Sequence, residues 1–225
     1  MGAIARSAAN LVTTSGVWLK GGVNNASMDN ITALPSAAGA DGITLISSQT
    51  ASSSASISFT SGITSTYKAY KFVFSNIHPQ NNVAYFSFNF STDSGSNYNV
   101  TKTTTFFQSF HEESEPTDIY GITGGGITYD SDEDLAQSTS FQRISYAVKN
   151  DNDSSVSGTL QLFNPSSTTY VKHFISNTNM MWYANASFNT FVAGYGNTTS
   201  AVNAVQFKFS SGNIDDGKIY MYGIK

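Results

Sequence analysis

The run His111–Glu115 reads HEESE, an imidazole beside carboxylates, the residue types of a metal-assisted hydrolase. A zinc-protease helix needs a second His four residues on, where Glu115 stands, and the run follows a strand-like segment, not a helix. A solvated loop is the favoured reading. DSDED at Asp130–Asp134 alternates carboxylates as a calcium loop does. It has Leu135 where an EF-hand needs Gly and Phe141 where it needs the bidentate Glu. That leaves two readings, a non-EF calcium site or an acidic surface loop, and the loop is favoured. GITGGG at Gly121–Gly126 lacks the Lys-Ser/Thr of a phosphate cradle and reads as a flexible loop or tight turn. His78, His111 and His173 are far apart, and no Ser sits in a nucleophile elbow. Glu112, Asp118 and Asp153 are nominal glycosidase carboxylates with no pairing visible in sequence. The expectation is no enzyme, no catalytic residue, no metal and no cofactor.

One aromatic group stands out for binding. Asn179–Asn197 gathers Trp182, Tyr183 and Tyr195 among amide side chains, the combination that holds neutral sugars. The competing reading makes these rings core or subunit contacts, which is what aromatic side chains most often are.

The elements that must position these residues follow a period of two. Tyr70, Phe72 and Phe74 fall at alternate positions on one face, as do Ala84, Phe86, Phe88 and Phe90. Leu160 with Leu162, and Val205, Phe207 and Phe209, do the same. Further strands are expected at Thr103–Phe110, Phe141–Val148, Tyr170–Ser176, Phe188–Ala193 and Lys218–Ile224. Turn-forming runs such as HPQNN, TDSGSN and NDNDSS separate them. Even TASSSASISFTSG, Thr50–Gly62, fits a strand: Ile57 and Phe59 alternate with serines that form the outward face. Ten or so short strands without a helical period predict an all-β fold, an antiparallel jelly-roll-like β-sandwich over residues 42–225.

Residues 1–41 differ. Rich in Ala, Asn, Ser and Gly, they hold too few apolar anchors to enclose a core, so they are expected to be an extended N-terminal arm that folds only against a partner. Ile4, Leu11, Val12, Trp18 and Leu19 are its expected attachment residues. The final strand is apolar on both faces, with Ile219 and Met221 on one and Tyr220 and Tyr222 on the other. Such a strand is either central in the sandwich or faces a second subunit; these four residues are the candidate subunit interface.

Composition narrows the partners. Charged residues are 12% of the 225 and the net charge is −4, against a usual charged share of ~25%. A nucleic-acid binder needs a basic stripe, and the Lys and Arg here are scattered. No apolar run approaches the ~20 residues of a membrane span. Arg6, Ser7 and Asn10 interrupt any signal-peptide core. Cysteine is absent, so there is no disulfide and no thiolate metal site. A Ser/Thr/Asn-clad surface suits close subunit packing or a neutral polar ligand.

Four segments, TLISSQTASSSASISFTSGI, STDSGSNYNVTKTTTFF, LFNPSSTTYVKHF and NTTSAVNAVQFKFSSGNIDDGKIYMYGIK, resemble small fibre, spike and decoration proteins of tailed bacteriophages that infect marine bacteria and cyanobacteria. The opening MGAIARSAANLVTTSG is similar to their N-terminal arm. The resemblance covers nearly the whole chain and carries over no catalytic residue. It implies a virion surface structural protein, made in the host cytoplasm and assembled as a homotrimer. The arm would join capsid or tail proteins, and host cell-surface glycans are the candidate ligand of the sandwich. The alternative it implies is a capsid decoration protein that fastens neighbouring subunits and has no ligand of its own.

Overall fold

The computed structural model describes residues 42–114, 124–182 and 185–225. The expected arm residues Ile4, Leu11, Val12, Trp18 and Leu19 lie outside the described residues, as do Tyr183, Glu115 and Asp118. Twelve strands and no helix are found among the described residues. They are β1 (Ile43–Thr50), β2 (Ile57–Phe59), β3 (Ala69–Pro79), β4 (Ala84–Ser91), β5 (Lys102–Glu112) and β6 (Gly125–Tyr129). Then follow β7 (Gln142–Val148), β8 (Val156–Phe163), β9 (Lys172–Trp182), β10 (Ala186–Gly196), β11 (Ala204–Phe209) and β12 (Ile214–Ile224).

All pairings are antiparallel. One sheet carries the order β1-β12-β3-β8 and the facing one β2-β11-β4-β7. The first strand thus pairs with the last and the second with the last but one. That is a long hairpin rolled into a jelly roll, the expected fold class. Two hairpins are inserted into the roll: β5–β6 after β4, and β9–β10 after β8. They extend the first sheet beyond β8 in the order β9-β10-β5-β6. One pair, Val148 with Trp182, ties β7 to β9 and links the two sheets at that side.

Alternation decides what each strand buries. Tyr70, Phe72 and Phe74 of β3 and Phe86, Phe88 and Phe90 of β4 are all buried, and their rings fill the space between the sheets. Phe207 of β11 lies at the middle. Its centroid is 5.3 Å from Phe72, 5.2 Å from Phe74, 5.9 Å from Phe86, 6.3 Å from Phe59 and 6.4 Å from Phe88. Most of these contacts are edge-to-face, the arrangement ring quadrupoles favour.

The same alternation corrects the subunit-interface expectation. On β12, Ile219 and Met221 are fully buried in the chain's own core, so neither is available to a second subunit. Tyr220 and Tyr222 point the other way and stack on each other, 6.4 Å apart. The strand is greasy on both faces because it is central, lying between β1 and β3. Further up, β12 is bulged opposite Asn76 of β3, and Gly217 sits there with φ of 118°. A Cβ at Gly217 would stand 2.5 Å from the Asn76 carbonyl, so the bulge requires glycine.

Truncating Phe207 to Ala removes one ring from five contacts at once. The variant is expected to lose about 3–5 kcal/mol of unfolding free energy, read from the denaturant midpoint at unchanged slope. A loss below about 1 kcal/mol contradicts its central place.

Candidate functional site

Strands β9, β10, β5 and β6 run in register over several rungs. One side of this extension packs inward and the other faces solvent. Inward rungs include Phe106–Val192–Ser176, Phe110–Phe188–Met180 and Glu112–Ala186–Trp182. Outward rungs, one residue off, are Thr103–Tyr195–His173, Thr105–Ala193–Ile175 and Tyr129–Phe107–Phe191–Asn177. Below them come Ile127–Ser109–Asn189–Asn179 and Gly125–His111–Ser187–Met181. None of these outward residues is Asp, Glu, Lys or Arg.

Several outward side chains are apolar and exposed: Ile127 at 74%, Tyr129 at 57%, Ile175 at 54% and Phe107 at 40%. Phe107 stacks on Phe191, centroids 4.9 Å apart. Beside them lies a hollow of about 420 Å³ walled by Tyr195, His173, Ile175, Phe163, Thr103 and Thr105. Its depth comes from small residues, since Ala193 and Gly194 line it between bulky neighbours. A Cβ on Gly194 would stand 2.5 Å from the Thr103 carbonyl.

Many polar groups on this face are already engaged within the protein. Asn179 Nδ2 donates to Ser187 Oγ and to the Phe188 carbonyl. Thr103 Oγ1 accepts from both Nε2 and the backbone N–H of Gln137. The Tyr129 hydroxyl donates to Asp134. Asn189 Oδ1 has no hydrogen-bond partner among the described residues, and Ser109, Asn177, His173 and Tyr195 add further polar atoms, so the face offers a partner both carbon and polar groups.

Trp182 and Tyr195 do not join in the expected aromatic plate. Trp182 is 8% exposed and packs inward, 5.2 Å from Phe188 and 6.4 Å from Tyr146. Tyr195 is on the outward side, 6.1 Å from His173. Register is the reason: Trp182 belongs to an inward rung and Tyr195 to an outward one, so the two rings lie on opposite sides of one sheet. Trp182 is a core residue, and of the three only Tyr195 remains as a surface aromatic among the described residues.

The candidate chemical groups also disperse. Strand β5 continues through His111 and Glu112 instead of ending before HEESE, and Glu112 turns inward at 6% exposure. His111 and His173 are four rungs apart, roughly 27 Å at strand spacing. His78 instead borders a polar hollow of about 450 Å³ with Asp153, Asp215 and Asp216, its Nδ1 4.0 Å from Asp215. In the acidic loop three of the four carboxylates take separate partners. Asp134 holds Tyr129, Glu133 pairs with Arg143, and Asp130 accepts the Asp132 N–H. Burial raises the Glu133 carboxyl, against the lowering effect of Arg143. Among the described residues no group of three or more His, Cys, Asp or Glu side chains is placed to hold a metal.

Sequence reading missed β6 altogether. GGITY offers only one clear alternation, and its glycines read as part of the GITGGG loop. It also missed the outward Phe107, for which a signal exists. Phe106 and Phe107 are adjacent in a period-two strand, so one of them must face away from the core.

No protein family, curated protein or solved structure matches the chain.

At the end of the extension the inward rung Lys102–Gly196–Lys172 brings two fully buried lysines to one level. Lys102 Nζ donates to Asn89 Oδ1 at 2.6 Å and to the Val100 carbonyl at 2.8 Å, both neutral acceptors. Burial pushes its ammonium down to about 7. Lys172, donating to the Tyr170 and Thr198 carbonyls, is lowered by the same cause. Between pH 7 and the ordinary lysine range the unfolded chain holds a proton that the folded chain has released. Stability contributed by Lys102 therefore rises with pH across that window and is flat below it. The melting temperature of Lys102→Met, relative to wild type, is expected to be highest near pH 6 and to fall steadily towards pH 9.5. A pH-independent difference rules out the titration.

Proposed function

We propose that the chain is a structural protein of a tailed-phage virion surface, acting by contact rather than by catalysis. The observation that carries this reading is the uncharged, partly apolar outer face of β9-β10-β5-β6, laid on a jelly roll. Exposed apolar patches of this extent mark interaction surfaces. Jelly rolls serve in viral capsid and lectin domains alike, which is analogy at the level of fold. The resemblance to phage fibre, spike and decoration proteins points the same way.

Two forms of the reading differ in the partner. As a fibre or spike, the protein is anchored by residues 1–41 and projects a jelly roll towards neutral host-surface glycans, with Tyr195 as the remaining stacking platform. As a decoration protein it fastens neighbouring subunits and has no ligand of its own. The exposed Ile127, Ile175 and Phe107 favour a protein partner, because they offer nothing to the hydroxyls of a sugar.

The arm provides the test of the virion reading. A chain lacking residues 1–41 is expected to keep its β-type circular dichroism and its melting temperature within a few degrees. It is expected to be missing from purified particles when it replaces the full chain. Normal occupancy of the shortened chain overturns the role of the arm. For the fibre form, Tyr195→Ala is expected to abolish binding to host cells without loss of stability; unchanged binding removes the glycan reading.

A further inference from the structure

The outer face carries both a projection and a hollow. Ile127 and Tyr129 project at the β6 edge, and one to three rungs along and two to three strands across, the hollow opens beside Tyr195 and Ile175. We infer that this face joins copies of the present chain, the Ile127 projection of one copy entering the Ile175–Tyr195 hollow of another. The inference rests on reading the face as a protein contact surface.

Three features select a second copy as the occupant. The first is charge. A partner presenting Lys or Glu here would bury those groups against rungs that hold no countercharge. A second copy brings the same uncharged rungs. The second is shape. A projection and a hollow side by side on one surface are self-complementary, so each copy both gives and receives. The third is size. Five rungs about 6.8 Å apart and five strands (counting β8) about 4.8 Å apart give a footprint of roughly 27 by 19 Å. Side-chain relief enlarges that towards the ~800 Å² per partner of a standard interface. On β8 the adjoining outward residues Ser157, Thr159 and Gln161 continue the uncharged surface.

The contact differs in place from the β12 interface expected from sequence. On β12 and β3 the outward residues include Lys218 and Lys71, so the uncharged zone ends before them.

Sedimentation or light scattering of the full chain at micromolar concentration tests the inference. Wild type is expected at a multiple of 24.1 kDa. Ile127→Lys and Ile175→Glu, each a change at an exposed position, are each expected to fall to the single-chain mass with unaltered circular dichroism and melting temperature. Mixing the two variants is expected to restore the assembly, since the new Lys meets the new Glu across the contact. Leu45→Lys, equally exposed but on β1 at the far edge of the sheet, is expected to keep the wild-type mass. A wild type that runs as a single chain overturns the inference, as does an Ile127→Lys protein that keeps the wild-type mass. A single-chain mass in solution together with normal occupancy on particles removes this contact and leaves the virion reading standing.

Discussion

Phe207 touches five other rings drawn from three strands, and the remainder of the architecture depends on that knot. Phe59, Phe86 and Phe88 belong to its own sheet, whereas Phe72 and Phe74 come from the facing one. Aromatic packing of this kind is what binds a sandwich in a chain without disulfides. With the two four-stranded sheets held at fixed distance, the long β4–β7 and β8–β11 connections are free to carry extra structure. They form hairpins that pair with each other and lengthen one sheet.

That extension has an inner side that needs covering and an outer side that the described residues leave open. Its inner side meets the roll through Trp182, Phe188 and Tyr146 and through the polar pairs of Thr104 and Gln142 and of Thr178 and the Ile144 carbonyl. Lys102 and Lys172 finish the same side. Both are buried cations held by neutral oxygens, a poor arrangement for stability near neutral pH. The outer side is the reverse case, with exposed carbon and no charge. A chain with so few charged residues has little means of keeping such a face apart from a like face, and that is the physical ground for assigning it to contact.

The fold was legible because alternation is a local property. Phe72, Phe88, Leu160 and Phe207 each show their direction through their immediate neighbours, and the structure places all four inward. The site was less legible. Trp182, Tyr183 and Tyr195 look like one group in sequence because they are close in number. Closeness in number says nothing about the side of a sheet, and between Trp182 and Tyr195 the hairpin of β9 and β10 fixes opposite sides.

The sequence by itself determined the all-β class and which residues of each strand share a face, since a period of two needs no tertiary information. It also determined the scarcity of charge. Only the tertiary structure decided which shared face was buried. Ile219 with Met221 and Tyr220 with Tyr222 are equivalent apolar pairs until β12 is set between β1 and β3 with Phe72 opposite Met221. In the same way, Ile175, Phe107 and Ile127 became one surface only through pairing of strands distant in the chain, because cross-strand neighbours are chosen by register and not by sequence separation.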